Sequence, residues 1–395
     1  MLFGGCMQIL KMDNQGRGIT YYNNKIVFVN NTLPNEDVNI KIILDKKRYS
    51  IANVDKYNKI SKIRIKPKCK YYDVCGGCQL QHLSYKNELN YKTNYLNDIF
   101  KSLNIKISRI ISDKDYNYRN KITLKTNNMK TGFNKINTNE IINIDKCLIA
   151  DNNINKNIKH LNKINLNNIK EIIIKSFNGK DMLVLNGNKN ININNIKKYF
   201  DAIYINDKLV SGNKIIAKIS NIKYYIAPNA FFQVNMNIAH KMFEYIKDIC
   251  RKRNAKQVID LYCGCGSISL YIANSVKYVY GVELNKESIK DANLNKELNE
   301  ISNVDFICDT TDNITDIDKY DTIIVDPPRS GLSKKVIKKI LNSNAKNLIY
   351  ASCDPITLKR DLLLLEKKYV IENITTFDMF PNTYHVENVC ALSLK

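Results

Sequence analysis

The run Tyr350-Ala351-Ser352-Cys353-Asp354-Pro355 carries one cysteine from an apolar strand end into a turn closed by proline. A thiol held there, with acidic residues upstream and downstream, is a candidate nucleophile. Packing is the competing reading, because free cysteine is among the most buried residue types and the chain has eleven. A second constellation is Cys69-x5-Cys75-Gly76-Gly77-Cys78. Three thiols this close, with two glycines that let the backbone fold tightly, point to metal, and Cys147 at the end of the strand-like run Ile141–Lys146 is the candidate fourth ligand. Four thiolates suit zinc or a [4Fe-4S] cluster, and spacing leaves both open. His82, close by, reads as a surface or capping histidine.

The third constellation is acidic. Asp260-Leu261-Tyr262-Cys263-Gly264-Cys265-Gly266 ends a strand in a glycine turn that opens a helix. Glu283 closes the next strand, and Asp309 and Asp326-Pro327-Pro328-Arg329 follow two more. The turn allows close backbone approach to a ligand, but the dinucleotide fingerprint needs a third glycine where Ser269 stands, which disfavours a nicotinamide cofactor. Acidic strand ends around one glycine turn repel a pyrophosphate and suit the cationic nucleoside S-adenosylmethionine, with Glu283 placed to accept from both ribose hydroxyls.

These residues need a scaffold that brings strand ends together. From about Asn229 strands and helices alternate: strands at 257–261, 278–282, 304–307, 321–325 and 348–351, helices at 267–273, 286–298, 333–341 and 356–367. That alternation predicts an α/β domain, a doubly wound parallel sheet of Rossmann-like form over 228–395, with ligands beyond the carboxyl ends of its strands. Short alternating runs at 16–22, 25–29, 38–44 and 49–54, broken by Gly, Asn and Pro, predict an OB-like β-barrel over 1–58. The stretch 59–227 predicts a central α+β domain with a helix over Tyr85–Lys101, a sheet around Cys147, and a solvated, Asn-rich and Lys-rich face over 151–170. Tyr118-Arg119-Asn120-Lys121 stands out there for its polar density before a strand.

The formal net charge of +23 points to a polyanionic partner, and nucleic acid is the first candidate. Lys far outnumbers Arg, which describes a phosphate-attracting field more than base-reading forks, although the abundance of Lys, Asn and Ile also fits an AT-rich coding sequence. Tyr21, Tyr22, Phe28 and Tyr49 are candidate stacking platforms on the barrel. Neither a signal peptide nor a bilayer-spanning apolar run is apparent, so a cytoplasmic, membrane-free monomer is expected, with thiols reduced rather than paired.

Taken in order, Phe231-Phe232-Gln233-Val234-Asn235, the Asp260–Gly266 turn, Gly281-Val282-Glu283, Asp326-Pro327-Pro328-Arg329, Ser352-Cys353-Asp354-Pro355 and the run Asp378–Glu387 resemble the RNA uracil-C5 methyltransferases. The amino-terminal runs resemble a TRAM barrel, and with the cysteine cluster they extend the resemblance over essentially the whole chain, in the form of the enzymes acting on 23S ribosomal RNA. The resemblance implies S-adenosylmethionine contacts from Gln233, Tyr262, Glu283 and Asp326, a nucleophile at Cys353, a proton-abstracting base at Glu387, and a [4Fe-4S] cluster on Cys69, Cys75, Cys78 and Cys147. Such a thiolate calls for a depressed pKa at Cys353, with Arg329 as the stabilising charge. Methylation of the transfer RNA T-loop uridine is the alternative within the class. A non-catalytic RNA-binding protein that keeps a cofactor fold is the alternative outside it.

Overall fold

The computed structural model describes residues 3–127, 130–163, 166–167, 169–187 and 191–395. Its carboxyl-terminal half is organised by an eight-stranded sheet in the order Val304–Cys308, Tyr278–Glu283, Gln257–Leu261, Thr322–Val325, Asn347–Ser352, Glu387–Leu394, Tyr369–Phe377 and Ile110–Ile111. The first five strands are parallel. Alternate residues of these apolar strands enter opposite cores, as the two-residue period of a strand requires. Val258, Ile324 and Ile349 pack with the helices Met236–Lys252 and Ser267–Ile272, whereas Ile323, Val325 and Leu348 pack with Lys334–Asn342 and Pro355–Leu365.

The sheet is not parallel throughout, as the strand and helix alternation predicts. Tyr369–Phe377 and Glu387–Leu394 form an antiparallel pair, and the second of them pairs antiparallel with Asn347–Ser352. Residues 378–386 return the chain without a helix, so a parallel crossover has nothing to build it. Two parts of the middle stretch also pack with this half. The helix Tyr85–Phe100, capped by Ser84, sends Leu96 and Phe100 into the core beside Leu358 and Leu362, and Ile110–Ile111 adds the outermost strand.

The middle stretch otherwise forms a seven-stranded sheet in the order Ile141–Asn143, Lys130–Asn134, Lys121–Asn127, Ile169–Phe177, Lys180–Gly187, Ala202–Ile205 and Lys208–Gly212. The expected solvated face over 151–170 is partly core: the helix Asn152–Ile158 buries Ile154 and Ile158, and Leu161 follows them in. Residues 164, 165 and 168 of that stretch lie outside the described residues.

At the amino terminus a six-stranded sheet runs Phe3–Gln8, Asp37–Asp45, Tyr49–Lys59, Lys25–Val29, Gly18–Tyr22, Lys11–Met12, around Ile9, Val27, Val29, Val38, Ile40 and Ala52. Of the four expected platforms, Tyr21 is exposed, Tyr22 packs on this core, and Phe28 is covered by Arg17 at 4.3 Å and by the edge of Tyr49. Among the described residues no helix is long and apolar enough to cross a membrane.

Candidate active site

One edge of the large sheet gathers the acidic strand ends. Leu261 pairs with Val282 and with Val325, Val325 with Tyr350, and Ser352 with Asn388. Glu283, Tyr262, Asp326, Cys353 and Glu387 therefore stand next to one another at the ends of adjacent strands, where a doubly wound sheet takes its ligand. Gln233 arrives from outside the sheet, on the loop that Asn235 ends by capping the helix Met236–Lys252.

The glycine turn is open where a cofactor would lie. A Cβ on Gly264, whose φ is +56°, would meet no heavy atom within 4 Å, whereas one on Gly266 would strike Phe306 at 2.6 Å. Tyr262 itself holds φ +67°, an unusual conformation for an aromatic residue and one that clusters at ligand sites. The Glu283 carboxylate accepts from the N–H of Gly264 at 3.2 Å and of Asn285 at 2.8 Å, which fixes it at the mouth of the turn with lone pairs left over. Asp260 is fully buried, accepts from the Ser269 hydroxyl at 2.5 Å through Oδ2, and leaves Oδ1 without a protein partner. Burial pushes its carboxyl up to about 7. Ser269, where a dinucleotide site would have glycine, is the residue that orients Asp260.

Cys353 projects between the end of Asn347–Ser352 and the helix Pro355–Leu365, which Asp354 caps by accepting from Ile356 and Thr357 at 3.0 and 2.9 Å. The Ser352–Asn388 pairing brings the next residue of each strand end, Cys353 and Glu387, near enough that the carboxyl acts on the thiol. Glu387 is 8% exposed, and burial together with Asp326 pushes its carboxyl well above the ordinary range. Burial pushes Asp326 up to about 6. The depressed Cys353 pKa expected from sequence is not present: burial, Glu387 and Asp326 push the thiol up to about 11 against the Arg329 guanidinium, which alone pulls it down. One cation facing two acidic groups and a thiol cannot hold all three ionised.

A cavity of about 210 Å³ fronts Cys353, walled by Arg329, Tyr95, Tyr384, His385, Asn14 and Gln15. His385 is tilted against Tyr384 at 4.1 Å between ring centroids, and burial lowers its pKa to about 4, so the ring is neutral near pH 7.

The loop carrying Glu387 is anchored by residues that sequence reasoning left unassigned. Asn382, 3% exposed with φ +67°, donates its N–H to Glu88 Oε1 at 2.8 Å and its amide to the Asp115 carbonyl at 2.6 Å. Its carbonyl accepts from the N–H groups of Gln79 and Leu80 at 3.0 and 3.1 Å. Lys92 lies between Glu88 and Asp378, 2.7 Å from each, with all three side chains at most 1% exposed. The Tyr118-Arg119-Asn120-Lys121 segment also acquires a place. Tyr118 donates to the Pro381 carbonyl at 3.0 Å, and Asn120 donates its N–H to Val234 and its amide to the Gln233 carbonyl. One short stretch thus holds both the loop that carries Glu387 and the Gln233 loop. Lys175, buried against the Ala227 carbonyl at 2.7 Å, supports the latter from below. Polar density before a strand was the available signal for Asn120; nothing local in the sequence marks Lys92.

Cys69, Cys75, Cys78 and Cys147 line one cavity of about 280 Å³, with Gln81 and Arg119 beside them. Asn155 pins Cys147 by accepting its N–H at 2.8 Å and donating to its carbonyl at 2.9 Å, and Gly77 donates to the Cys75 sulfur at 3.4 Å. Burial pushes the thiols of Cys75, Cys78 and Cys147 up. Among the described residues no three ligating side chains are gathered as closely as a single ion requires. His82 is not at the surface: it is fully buried, bonded to the Tyr72 hydroxyl through Nδ1, and held neutral by burial, which lowers its pKa to about 3.

A doubly wound sheet with an open glycine turn among acidic strand ends has the form of a nucleoside-cofactor site. The profile of the family described as tRNA (Uracil-5-)-methyltransferase matches residues 185–319 and 312–395, and that of the TRAM domain matches residues 8–54. An uncharacterized RNA methyltransferase of Clostridium tetani is 32% identical, across 98% of this chain and 95% of its own. Another, from Staphylococcus aureus strain N315, is 30% identical across 98% and 97%. The crystal structure of Pyrococcus abyssi tRNA (uracil-54, C5)-methyltransferase in complex with S-adenosyl-L-homocysteine superposes with a TM-score of 0.84 at 25% identity, covering 98% of this chain and 99% of that one. The chain belongs to the tRNA (uracil-5-)-methyltransferase family.

Proposed function

We propose that the protein methylates C5 of a uridine in 23S ribosomal RNA through a covalent bond between Cys353 and C6 of the base. The observation that supports this reading is the Ser352–Asn388 pairing, next to which a thiol and a buried carboxyl stand at the ligand end of the sheet. Uracil C5 is too weak a nucleophile to take a methyl group unaided. Addition of the Cys353 sulfur to C6 makes the ring an enolate, whose C5 then accepts the methyl group. Glu387 removes the C5 proton, the C5–C6 double bond re-forms, and the Cys353–C6 bond breaks. S-adenosylmethionine supplies the methyl group as a sulfonium cation, and the residues offered for holding it are Gln233, Tyr262, Glu283 and Asp326. The open space at Gly264 and the unpartnered Asp260 Oδ1 fit that cofactor.

The target base has to leave any stack to reach the Cys353 cavity, which costs a few kcal/mol and favours a uridine in a loop or single strand. The +23 charge and the barrel support an RNA strand laid across the molecule. On sequence, the barrel and cysteine cluster favour ribosomal over transfer RNA. The Pyrococcus enzyme acts on transfer RNA and matches along the barrel as well, so the T-loop uridine is the second reading. Incubating the purified protein with undermethylated 23S and transfer RNA, then mapping 5-methyluridine in each, separates the two: label in 23S RNA is expected, and label confined to the T-loop would transfer the assignment.

For the cysteine cavity we propose a closed [4Fe-4S] cluster on Cys69, Cys75, Cys78 and Cys147, with a structural role. Four thiols lining one cavity are the donor set such a cluster takes. Anaerobically purified protein should be brown and contain iron and acid-labile sulfide in equal amounts. Colourless protein with stoichiometric zinc would refute the cluster. The chain is read as a cytoplasmic monomer divided at about residues 58 and 227.

A further inference from the structure

The cavity before Cys353 is not built by the catalytic half alone. Asn14 and Gln15 belong to the barrel, at the tip of the hairpin between Lys11–Met12 and Gly18–Tyr22, yet they wall the same cavity as Arg329 and His385. A barrel tethered only to hold RNA nearby would have no need of such a contact.

The hairpin backbone is fixed. Asp13 Oδ1 accepts from the N–H groups of Gln15 and Arg17 at 3.0 and 2.8 Å, and Arg17 returns an ion pair at 2.6 Å. Arg17 is in turn stacked on Phe28. Tyr91, on the helix Tyr85–Phe100, donates to the Asp13 carbonyl at 2.5 Å and accepts from the Gly16 N–H at 2.9 Å. Gly16 holds φ +77°, and a Cβ there would stand 2.8 Å from Leu80 Cδ2, so the tip lies directly against the segment that follows Cys78. Between these anchors Asn14 and Gln15 are exposed, and their side-chain amides make no hydrogen bond among the described residues.

The residue types matter. In a chain with 61 Lys and Arg, the tip that reaches the nucleophile's cavity carries two neutral amides. Lysine there would grip phosphate and carry no sequence information. A carboxamide presents a donor and an acceptor in one plane and pairs with a base edge. RNA enzymes that act on a splayed base recognise its unstacked neighbours in this way.

We propose that Asn14 and Gln15 read the nucleotide flanking the target uridine, so that the barrel hairpin is a specificity-determining wall of the catalytic cavity. This rests on Cys353 being the nucleophile. The test uses the full-length protein and the RNA transcript it methylates, with each nucleotide beside the modified uridine replaced in turn, and compares kcat/KM across the set. The wild type should prefer the native neighbour on one side by on the order of tenfold. The Asn14→Ala/Gln15→Ala double variant should level that preference mainly by losing rate on the native transcript, with S-adenosylmethionine affinity unchanged. Tyr91→Phe, which keeps both amides and frees the hairpin, should weaken the preference in part. An unchanged preference in the double variant, an equal loss on every transcript, or a wild type indifferent to both neighbours would each overturn the proposal. Methylation by Cys353→Ala would instead refute the nucleophile assignment, and so separates the two failures.

Discussion

Replacing Cys353 with alanine is expected to abolish 5-methyluridine formation, on the order of 10⁴-fold or more as for loss of other catalytic nucleophiles, while S-adenosylmethionine still binds. The separation follows from position, because Tyr262, Glu283 and the Gly264 turn lie on other strands of the sheet and do not depend on the thiol. Glu387→Gln should behave differently. Without a base the C5 proton stays, C5–C6 cannot re-form, and RNA should remain attached to the protein on a denaturing gel. Glutamine is well tolerated there on physical grounds, since it keeps the size of the side chain and burial disfavours a charge at that position. Turnover by Cys353→Ala, or a Glu387→Gln protein that releases its RNA, would contradict these roles.

The free enzyme's thiol carries a related expectation. With Cys353 pushed up to about 11, its alkylation by iodoacetamide should accelerate roughly tenfold per pH unit from about 7 to about 10. A plateau near neutrality would show a thiolate that burial beside Glu387 and Asp326 does not allow.

Much of this site could be read from local pattern. The strand at 257–261 and the helix at 286–298 carry their signals in period and cap, and the structure places them at those same residues. The turn that follows the strand carrying Cys353 could be read from Pro355, and the structure starts the helix at that residue. What local pattern cannot show is long-range pairing. The antiparallel return of Glu387–Leu394 depends on a loop without a helix, and the nearness of Cys353 and Glu387 depends on that return. The sign of the Cys353 shift was missed for a similar reason: Arg329 is visible beside Asp326 in the chain, but the burial of Glu387 against both is a property of the folded sheet. His82 looked like a surface residue because its partner, Tyr72, becomes one only when both are buried.

Lys92→Met should be the most damaging change outside the strand ends. It leaves Glu88 and Asp378 buried with no cation between them, and breaking a buried ionic group this way costs about 3–5 kcal/mol. The loss should depend on pH in a definite direction. Burial, with Asp378 beside it and against the pull of Lys92, already raises Glu88 to about 7. A carboxyl whose folded pKa lies above its unfolded value stabilises the fold at low pH and loses that contribution as pH rises through the folded value. Without Lys92 the Glu88 carboxyl ionises less readily still, so the deficit in urea midpoint should be larger at about pH 8 than at about pH 5. Adding Glu88→Gln removes one of the two stranded charges and should recover part of the stability. Catalysis should suffer beyond stability, because Glu88 holds the Asn382 N–H and Lys92 reaches the Phe380 carbonyl at 3.4 Å, on the loop that presents Glu387. At a temperature where the variant is folded, kcat should fall while S-adenosylmethionine affinity stays near normal, since Gln233 is held from Asn120 and Glu283 from Gly264. An unchanged urea midpoint, or a variant that loses cofactor affinity in step with kcat, would show that the buried triad does not position the base.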